Sequence, residues 1–183
     1  MKKQRFKHPS VTEVLEPYAD LSMIRPEVLK AAQIRGTIVH AVCAGVSKFG
    51  IAINTPYKYK GYVQSFRYFH DELEEIEWVE GRIENDAVRL CGQPDLVAKR
   101  YQDPHERVWE IKTPVAFYKT WAGQTSAYKW LYEQKTGRVT DMPGHVQLKE
   151  DGGRPKVTIM TPDQYKTELE MFFKVLTAYH HYA

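Results

Sequence analysis

The chain lacks the features that define several specialised classes of protein. Only two of its 183 residues are cysteines, Cys43 and Cys91, which is too few for a disulfide framework. Both lie in apolar sequence, as is typical of buried, reduced thiols. The chain has no apolar run of the roughly eighteen residues that a membrane-spanning helix needs, and no apolar signal-peptide core follows its basic N-terminus. These absences favour a cytoplasmic globular protein that makes no membrane contact.

The net charge of the chain does not indicate its binding partner. The chain carries 26 lysines and arginines against 23 acidic residues, and a net charge of +3 does not by itself indicate nucleic-acid binding. It has no Gly-x-x-x-x-Gly-Lys-[Ser/Thr] motif, so any ATP-driven unwinding requires a partner chain. We find no internal repeat and no low-complexity linker. The length therefore predicts a single domain over residues 1–183, with residues 1–9 as a flexible basic tail.

Helix start and stop signals alternate with strand-like segments along the chain. The predicted helices are a short one opened by the capping box Ser10-Val11-Thr12-Glu13, then 26–49 ended by Gly50, 62–73, 117–135 ended by Gly137, and 162–179. The predicted strands are 76–84, 87–91, 96–98, 108–112, 145–149 and 156–160. This order predicts a mixed α/β fold, with a central mixed sheet flanked by helices.

The most informative stretch is Gly92-Gln93-Pro94-Asp95-Leu96-Val97, followed by Trp109-Glu110-Ile111-Lys112-Thr113. Glu110 and Lys112 are two residues apart in a strand, so they share one face. The turn-prone residues 101–105 lie between the two segments, as a hairpin requires. If the segments pair, Asp95, Glu110 and Lys112 can converge. Two carboxylates that hold a divalent cation beside an ammonium group that orients a water account for such a polar face.

Alone, this pattern is also compatible with a solvated hairpin face that carries an ordinary Glu110–Lys112 ion pair. Additional motifs, in a fixed order, favour the functional interpretation. Gln124-Thr125-Ser126-Ala127-Tyr128 follows on a predicted helix, where Gln124 and Tyr128 share one face. Upstream lie Gly36-Thr37-Ile38-Val39-His40 and Val79-Glu80.

With these motifs in this order, the chain resembles the PD-(D/E)xK nuclease superfamily, and within it the RecB-like branch that includes small phage-type exonucleases. Pro94-Asp95 and Glu110-x-Lys112 match the name-giving motif. Residues 124–128 match the QxxxY element of this branch, and His40 matches its metal-binding histidine. The resemblance runs from about residue 10 to residue 132 and implies a restriction-endonuclease-like core. Two cysteines cannot supply the four of the iron–sulfur cluster found in some relatives.

The resemblance implies a role for each matched residue. Asp95, Glu110 and Lys112 are the implied catalytic residues. One or two Mg²⁺ or Mn²⁺ ions are the implied cofactor, held by His40, Asp95, Glu110 and the Ile111 backbone carbonyl, with Glu80 as a further candidate ligand. Gln124 and Tyr128 are implied to hold DNA and to support the catalytic lysine.

The expected function is that of a Mg²⁺- or Mn²⁺-dependent deoxyribonuclease, specifically an exonuclease of a phage or of a recombination and repair system. DNA is the expected partner, with a helicase or recombination protein in trans and an oligomer as further candidates. Two alternatives stay open: a nuclease-fold protein that binds DNA without cutting it, and a small endonuclease. The acidic residues 71–77 are interpreted as a solvated helix end. Candidate phosphate contacts, each also consistent with plain surface, are the basic tail at residues 2–7 and Lys119, Lys129, Lys135 and Arg138.

Overall fold

A five-stranded mixed sheet with helices on both faces forms the centre of the molecule. This computed structural model describes residues 7–19, 23–52, 54–114 and 118–182. The sheet confirms the predicted mixed α/β class with a central mixed sheet. No helix in the described part of the chain is long and apolar enough to span a membrane.

The secondary-structure elements follow one another in the predicted order. Within the described ranges, the helices are α1 (Val11–Leu15), α2 (Pro26–Phe49), α3 (Lys60–His70), α4 (Thr120–Thr136) and α5 (Pro162–Tyr182), with short 3₁₀ turns at Glu16–Tyr18 and Tyr57–Tyr59. The strands are β1 (Leu73–Val79), β2 (Ile83–Asn85), β3 (Leu90–Gly92), β4 (Leu96–Arg100), β5 (Asp103–Lys112), β6 (Gly144–Gln147) and β7 (Lys156–Ile159).

The sheet has the strand order β1-β4-β5-β6-β7, and β2 pairs with β3 in a separate hairpin. Strands β5 and β6 are parallel, whereas the other neighbours in the sheet are antiparallel. A parallel pair needs a crossover connection, and α4 supplies it. The chain therefore leaves β5 at Lys112, forms α4 over one face of the sheet and returns as β6.

Alternation along β4 and β5 separates two apolar cores. Leu96 and Trp109 are paired across the strands and contribute to a core formed with α2 and α3. Val97 and Val108, the next pair, contribute to a second core with α1, α4 and α5. The result is three layers, with α2 and α3 on one side of the sheet and α1, α4 and α5 on the other.

The predicted helix boundaries are confirmed where a specific cap was recognised. The Glu13 amide donates to Ser10 Oγ at 3.1 Å and the Ser10 amide donates to Glu13 Oε2 at 2.6 Å, which completes the capping box. Gly50 and Gly137 end α2 and α4 with φ near +70°, a conformation that glycine adopts without steric cost.

The predicted helix 62–73 and strand 76–84 differ from the structure, and residues 80–82 divide that predicted strand into β1 and β2, which belong to different sheets. Helix α3 ends at His70, and β1 already begins at Leu73. The acidic residues 71–77 are therefore mostly an edge strand and not a helix end. Their side chains pair with cations: Glu72 with Arg100 and Arg154, Glu75 with Lys99, and Glu77 with Arg138. Charged side chains on an edge strand also prevent it from pairing with other chains.

Other bounds move by a few residues. The predicted strand 87–91 is reduced to β3, because residues 86–89 form a turn whose amides at 87 and 88 donate to Asn85 Oδ1. Strand β5 begins at Asp103, five residues before its predicted start. Helix α5 extends three residues beyond its predicted end. Phe117, the predicted first residue of the fourth helix, lies outside the described residues.

The N-terminal residues 7–9 contact the β2–β3 hairpin. The Asp86 carboxylate accepts from Lys7 Nζ at 2.9 Å and from His8 Nε2 at 2.6 Å, and the Cys91 amide donates to the Pro9 carbonyl at 2.9 Å. Residues 1–6 of the predicted tail lie outside the described residues.

Close packing of β6 against β5 makes Gly144 a sensitive position. A Cβ atom there would lie 2.5 Å from Trp109 Cζ3 and 2.9 Å from the Thr158 carbonyl oxygen. We expect Gly144→Ala to lower the free energy of unfolding by about 1–3 kcal/mol, measured by urea denaturation. The matched control is Gly36→Ala on α2, because no described atom lies within 4 Å of a Cβ built there. That control is expected to gain about 0.5–1 kcal/mol. A Gly144→Ala variant as stable as the wild type would contradict this packing.

Candidate metal centre

Asp95 lies where the two central strands bring their polar residues together. It immediately precedes β4, one residue before the Leu96–Trp109 pair, and so lies opposite Glu110. Its Oδ2 accepts a hydrogen bond from the Ile111 amide at 2.8 Å, and its Oδ1 accepts one from His40 Nδ1 at 2.9 Å. The carboxylate is therefore fixed from two directions, by β5 and by α2.

The backbone at Ile111 also faces this carboxylate. Lys112 bonds to β6, because the Leu148 amide donates to its carbonyl at 2.7 Å. Successive residues of a strand direct their amide and carbonyl groups to opposite sides. The Ile111 carbonyl therefore points towards the β4 side, where the facing residue, Pro94, has no N–H to donate to it. This places a carbonyl oxygen next to Asp95.

Glu80 reaches the same place through a strained turn. Its φ of +46° is in the left-handed region, which non-glycine residues rarely adopt, and this ends β1 at Val79. The Glu80 amide donates to the Asp95 carbonyl at 3.0 Å, which anchors the turn to the start of β4. Strain of this kind is typical of functional sites.

His40, Glu80 and Asp95 together form a group that could hold a metal ion. One ligand atom from each lies within 4.8 Å of the others. An ion about 2.1 Å from each donor needs them within about 4.2 Å of one another, so small side-chain rotations complete the contact. One imidazole nitrogen with two carboxylates suits a divalent metal cation.

Glu110 adjoins this group and is buried, with 2 % of its surface exposed. Its Oε1 accepts from the Asp95 amide at 3.3 Å, and its Oε2 accepts from Lys112 Nζ at 3.1 Å. Burial, and secondly the charge of Asp95, raises the pKa of Glu110 to about 8. The Glu110–Lys112 contact that the sequence predicted is present, but in a buried setting and not on a solvated hairpin face.

The ammonium group of Lys112, which contacts Glu110, is also held by side chains of α4. Its Nζ donates to Gln124 Oε1 at 2.7 Å and lies 5.4 Å from the centre of the Trp121 ring. Gln124 Nε2 in turn donates to the Tyr128 hydroxyl at 3.3 Å. Tyr128 is buried, and burial raises the pKa of its hydroxyl above the ordinary range, so it stays neutral. The predicted Gln–Tyr pair therefore forms a relay of contacts that fixes the lysine.

Burial and neighbouring charges shift the pKa values of His40, Glu80 and Asp95. Burial disfavours the charged form of Asp95, but His40, Lys112 and the Ile111 amide outweigh it and lower the pKa of this carboxyl. Burial likewise opposes protonation of His40, and the Asp95 carboxylate outweighs it and raises the pKa of the imidazole. Burial and Asp95 raise the pKa of Glu80. A cation at this point would therefore take over the role that the His40 proton plays for Asp95.

All the residues proposed from the sequence are thus neighbours, but their arrangement has one unexpected feature. The three donors that converge include Glu80, whereas Glu110 points to Lys112 and the Asp95 amide. Glu80 was expected within a strand. The signal for its turn was Gly81, where a Cβ would lie 2.2 Å from the Trp78 ring.

Two neighbours of the site have no clear sequence signal. Arg35 Nε donates to Thr113 Oγ1 at 3.3 Å, which brings a guanidinium group beside the residue that follows Lys112. A cavity of about 350 Å³ between α1 and α4 extends to Gln124. Its lining residues are Thr12, Glu13, Leu15, Glu16, Ala19, Thr120 and Gln124.

Two of the candidate phosphate contacts are engaged elsewhere. Lys129 is 3 % exposed, and its Nζ donates to the Thr140 carbonyl at 2.7 Å and binds Glu133. Arg138 forms ion pairs with Glu77 and Glu106. Lys119 and Lys135 are exposed.

Behind the site, His145 of β6 supports α4. Its Nε2 lies 2.9 Å from Thr125 Oγ1 and 3.3 Å from the Trp121 carbonyl, and the residue is 3 % exposed. Burial lowers the pKa of His145 to about 4, so the neutral imidazole is part of the folded state.

No protein-family model and no curated protein sequence matches this chain. Among solved structures it is similar to an exonuclease candidate from Eubacterium rectale, with a TM-score of 0.48 and 11% identity over 80% of this chain and 68% of that one. It is also similar to the protein SSO0001, with a TM-score of 0.43 and 16% identity over 94% of this chain and 78% of that one.

The neutral state of His145 predicts a loss of stability in acid. The unfolded chain binds a proton at this imidazole near its ordinary pKa of 6.5, whereas the folded protein does so only near 4. The contribution is therefore present above about pH 6.5 and is lost as the pH falls to about 4, by at most about 3 kcal/mol. Urea denaturation of the wild type and of His145→Gln between these pH values measures it as the difference in slope. The control is His181→Gln at an exposed position, and equal slopes for all three proteins would contradict the prediction.

The strained backbone of Glu80 predicts that replacing this residue with glycine stabilises the fold but weakens metal binding. Glycine adopts its φ of +46° without steric cost, so Glu80→Gly is expected to raise the free energy of unfolding by up to about 1 kcal/mol. The same change removes one of the three donors, so Mn²⁺ affinity measured by calorimetry is expected to fall about tenfold or more. Arg89→Gly is the matched control, because Arg89 has a φ of +50° in the β2–β3 turn. It should gain stability and keep Mn²⁺ affinity; an unchanged affinity in Glu80→Gly would exclude Glu80 as a ligand.

Proposed function

We propose that this protein is a Mg²⁺- or Mn²⁺-dependent deoxyribonuclease that hydrolyses phosphodiester bonds as an exonuclease. The observation that carries the proposal is the convergence of Asp95, Glu110 and Lys112 on one face of two paired strands, next to His40 and Glu80. Acidic ligands beside a buried, oriented lysine suit a phosphate ester, because the reaction must neutralise charge that develops on the phosphate.

Each residue has a distinct task in this proposal. His40, Glu80 and Asp95 would hold the metal, with Glu110 and the Ile111 carbonyl next to it. A metal held there supplies Lewis-acid stabilisation of the phosphate and acidifies a bound water. Lys112 orients the attacking water and offsets developing charge, while Gln124 and Tyr128 keep its ammonium group in place.

The exonuclease assignment rests on the Gln124–Tyr128 element, which matches the exonuclease-like branch and contacts Lys112. A role in a phage or in recombination and repair, with a helicase or recombination protein as partner, belongs to the same proposal. So does the assembly of several copies. The alternatives, a DNA-binding protein without activity and a small endonuclease, are outcomes of the experiment below.

Removing the lysine or the central carboxylate is expected to abolish cleavage without unfolding the protein. Lys112→Met and Asp95→Asn keep the volume of each side chain, and each should lower the rate of DNA cleavage by at least about 10²–10⁴-fold. End-labelled linear DNA, single- and double-stranded, with Mg²⁺, Mn²⁺ or EDTA gives the rates, and circular dichroism checks the fold. Lys99→Ala is the matched control, because Lys99 lies on β4 but pairs with Glu75 outside the site.

Two results would overturn parts of this proposal. Metal-dependent cleavage that survives in either variant would show that the site is misassigned, and a folded wild type that cuts neither substrate would favour the binding protein. Cutting of covalently closed circles would replace the exonuclease with an endonuclease.

A further inference from the structure

One long segment of the chain contains cations but no acids. Residues 28–70 hold six of the 26 lysines and arginines and none of the 23 aspartates and glutamates. The six cations are Lys30, Arg35, Lys48, Lys58, Lys60 and Arg67. The modest net charge therefore conceals a strong asymmetry, because the remainder of the chain has more acids than cations.

The fold gathers this segment into one layer. It forms α2, the 3₁₀ turn Tyr57–Tyr59 and α3, which together cover one face of the sheet. None of its six cations forms an ion pair within the described ranges. Elsewhere many cations are paired, including Lys99 and Arg100 on β4, Arg107 on β5 and Lys129 on α4. We name this layer, residues 28–70, the cationic layer.

Exposed aromatic rings lie among these cations. Tyr57 is 87% exposed and Phe49 is 70% exposed. Lys60 Nζ lies 5.3 Å from the centre of the Tyr57 ring, and Lys58 Nζ lies 4.9 Å from that of Tyr59. Large exposed rings beside lysines are the combination that binds single-stranded nucleic acid, since rings stack on bases and cations contact phosphates.

A cavity in the cationic layer contains an unsatisfied hydroxyl. The cavity has a volume of about 290 Å³ and is lined by Ala52, Thr55, Lys60, Val63, Gln64 and Arg67. Thr55 Oγ1 is buried and has no hydrogen-bond partner among the described atoms. A buried hydroxyl without a partner is costly unless a ligand supplies one. An amide, a hydroxyl and two cations match the needs of a phosphate group.

The cationic layer also reaches the metal centre at two points. Arg35 Nε donates to Thr113, the residue after Lys112. Lys48 is close enough to Glu80 to lower the pKa of that carboxyl, although burial and Asp95 outweigh it. Two acids that border the layer are engaged: Glu150 accepts from the Tyr62 hydroxyl, and Glu72 is paired with Arg100 and Arg154.

We propose that the cationic layer is the surface along which a single DNA strand runs to the metal centre, with one of its phosphates held in the cavity of Thr55, Lys60, Gln64 and Arg67. This inference rests on the proposed nuclease function. Single-stranded DNA is the occupant because a duplex buries its bases and gives the exposed rings of Tyr57 and Phe49 nothing to stack on.

The test measures binding separately from cleavage. Fluorescence anisotropy of a labelled oligothymidine of roughly 20 nucleotides, titrated in EDTA over a series of salt concentrations, gives the affinity and its salt dependence without hydrolysis. The double variant Lys60→Ala/Arg67→Ala should bind more weakly, and the slope of log K against log salt should fall by about 1.4, or about 0.7 per cation removed. Removing two exposed cations from α5, with Lys166→Ala/Lys174→Ala, is the matched control and should leave both quantities unchanged.

Two further variants separate a binding role from a structural one. Thr55→Val should weaken DNA binding severalfold and leave the melting temperature equal or higher, because it removes a buried hydroxyl without a partner. A merely structural hydroxyl would give a lower melting temperature with unchanged affinity. Tyr57→Ala should weaken binding, whereas Tyr101→Ala, at a 69% exposed ring in the β4–β5 turn, should not.

The possible failures are distinguishable. Hydrolysis of bis(p-nitrophenyl) phosphate with Mn²⁺ reports the metal centre alone, and the cationic-layer variants should retain it. Variants of the cationic layer that bind and cut DNA like the wild type would refute the proposed DNA-binding surface but not the proposed nuclease function. Oligothymidine binding that depends on Lys60 and Arg67 in a protein without hydrolysis would support the surface and refute the nuclease. Preference for duplex DNA, or equal competition by polyglutamate, would also overturn the proposal.

Discussion

The antiparallel register between β4 and β5 determines where every proposed catalytic group lies. Because strand side chains alternate, a slip of one residue would move Asp95 to the face opposite Glu110 and Lys112. Two apolar cores hold this register in place, since Trp109 must remain on the α2–α3 side and Val108 on the α4 side. The polar cluster is thus positioned by hydrophobic burial around it, and its own hydrogen bonds refine the geometry.

The polar cluster around Asp95 and Glu110 lowers the stability of the folded state. Asp95 and Glu110 are both buried, and His40 and Lys112 are the charged partners that contact them among the described residues. The surroundings shift the pKa values of these two carboxyls in opposite directions, because the pKa of Glu110 is raised and that of Asp95 is lowered. Such pairs are typical of sites selected for chemistry and not for stability, because buried ion pairs rarely stabilise a fold more than apolar residues do. The left-handed Glu80 adds to the same cost.

Sequence patterns predicted the elements whose causes are local. The capping box at Ser10 and the glycines that end α2 and α4 involve neighbours in the chain, and all three are confirmed. The strand nature of the acidic residues 71–77 was missed, because the pairing of Glu75 with Lys99 comes from a distant strand. The two strand segments also predicted that Asp95, Glu110 and Lys112 can converge if the segments pair, and the segments do pair. Glu80 was a further candidate ligand from the resemblance, but the turn that brings it to His40 and Asp95 was not predicted.

The proposed metal ligands come from three separate parts of the chain. His40 lies on a helix 55 residues before Asp95, Glu80 follows an edge strand, and Asp95 precedes β4. Lys112, beside these ligands, is held by Gln124 of α4, which comes after it in the chain. Contacts between residues so distant in sequence form late in folding, since the intervening loops must close first. A chain that has formed only the β4–β5 hairpin therefore lacks the ligand set. Any activity of this site would begin only after α2 has packed on the sheet, so a partly folded copy of the protein could not cut the DNA around it.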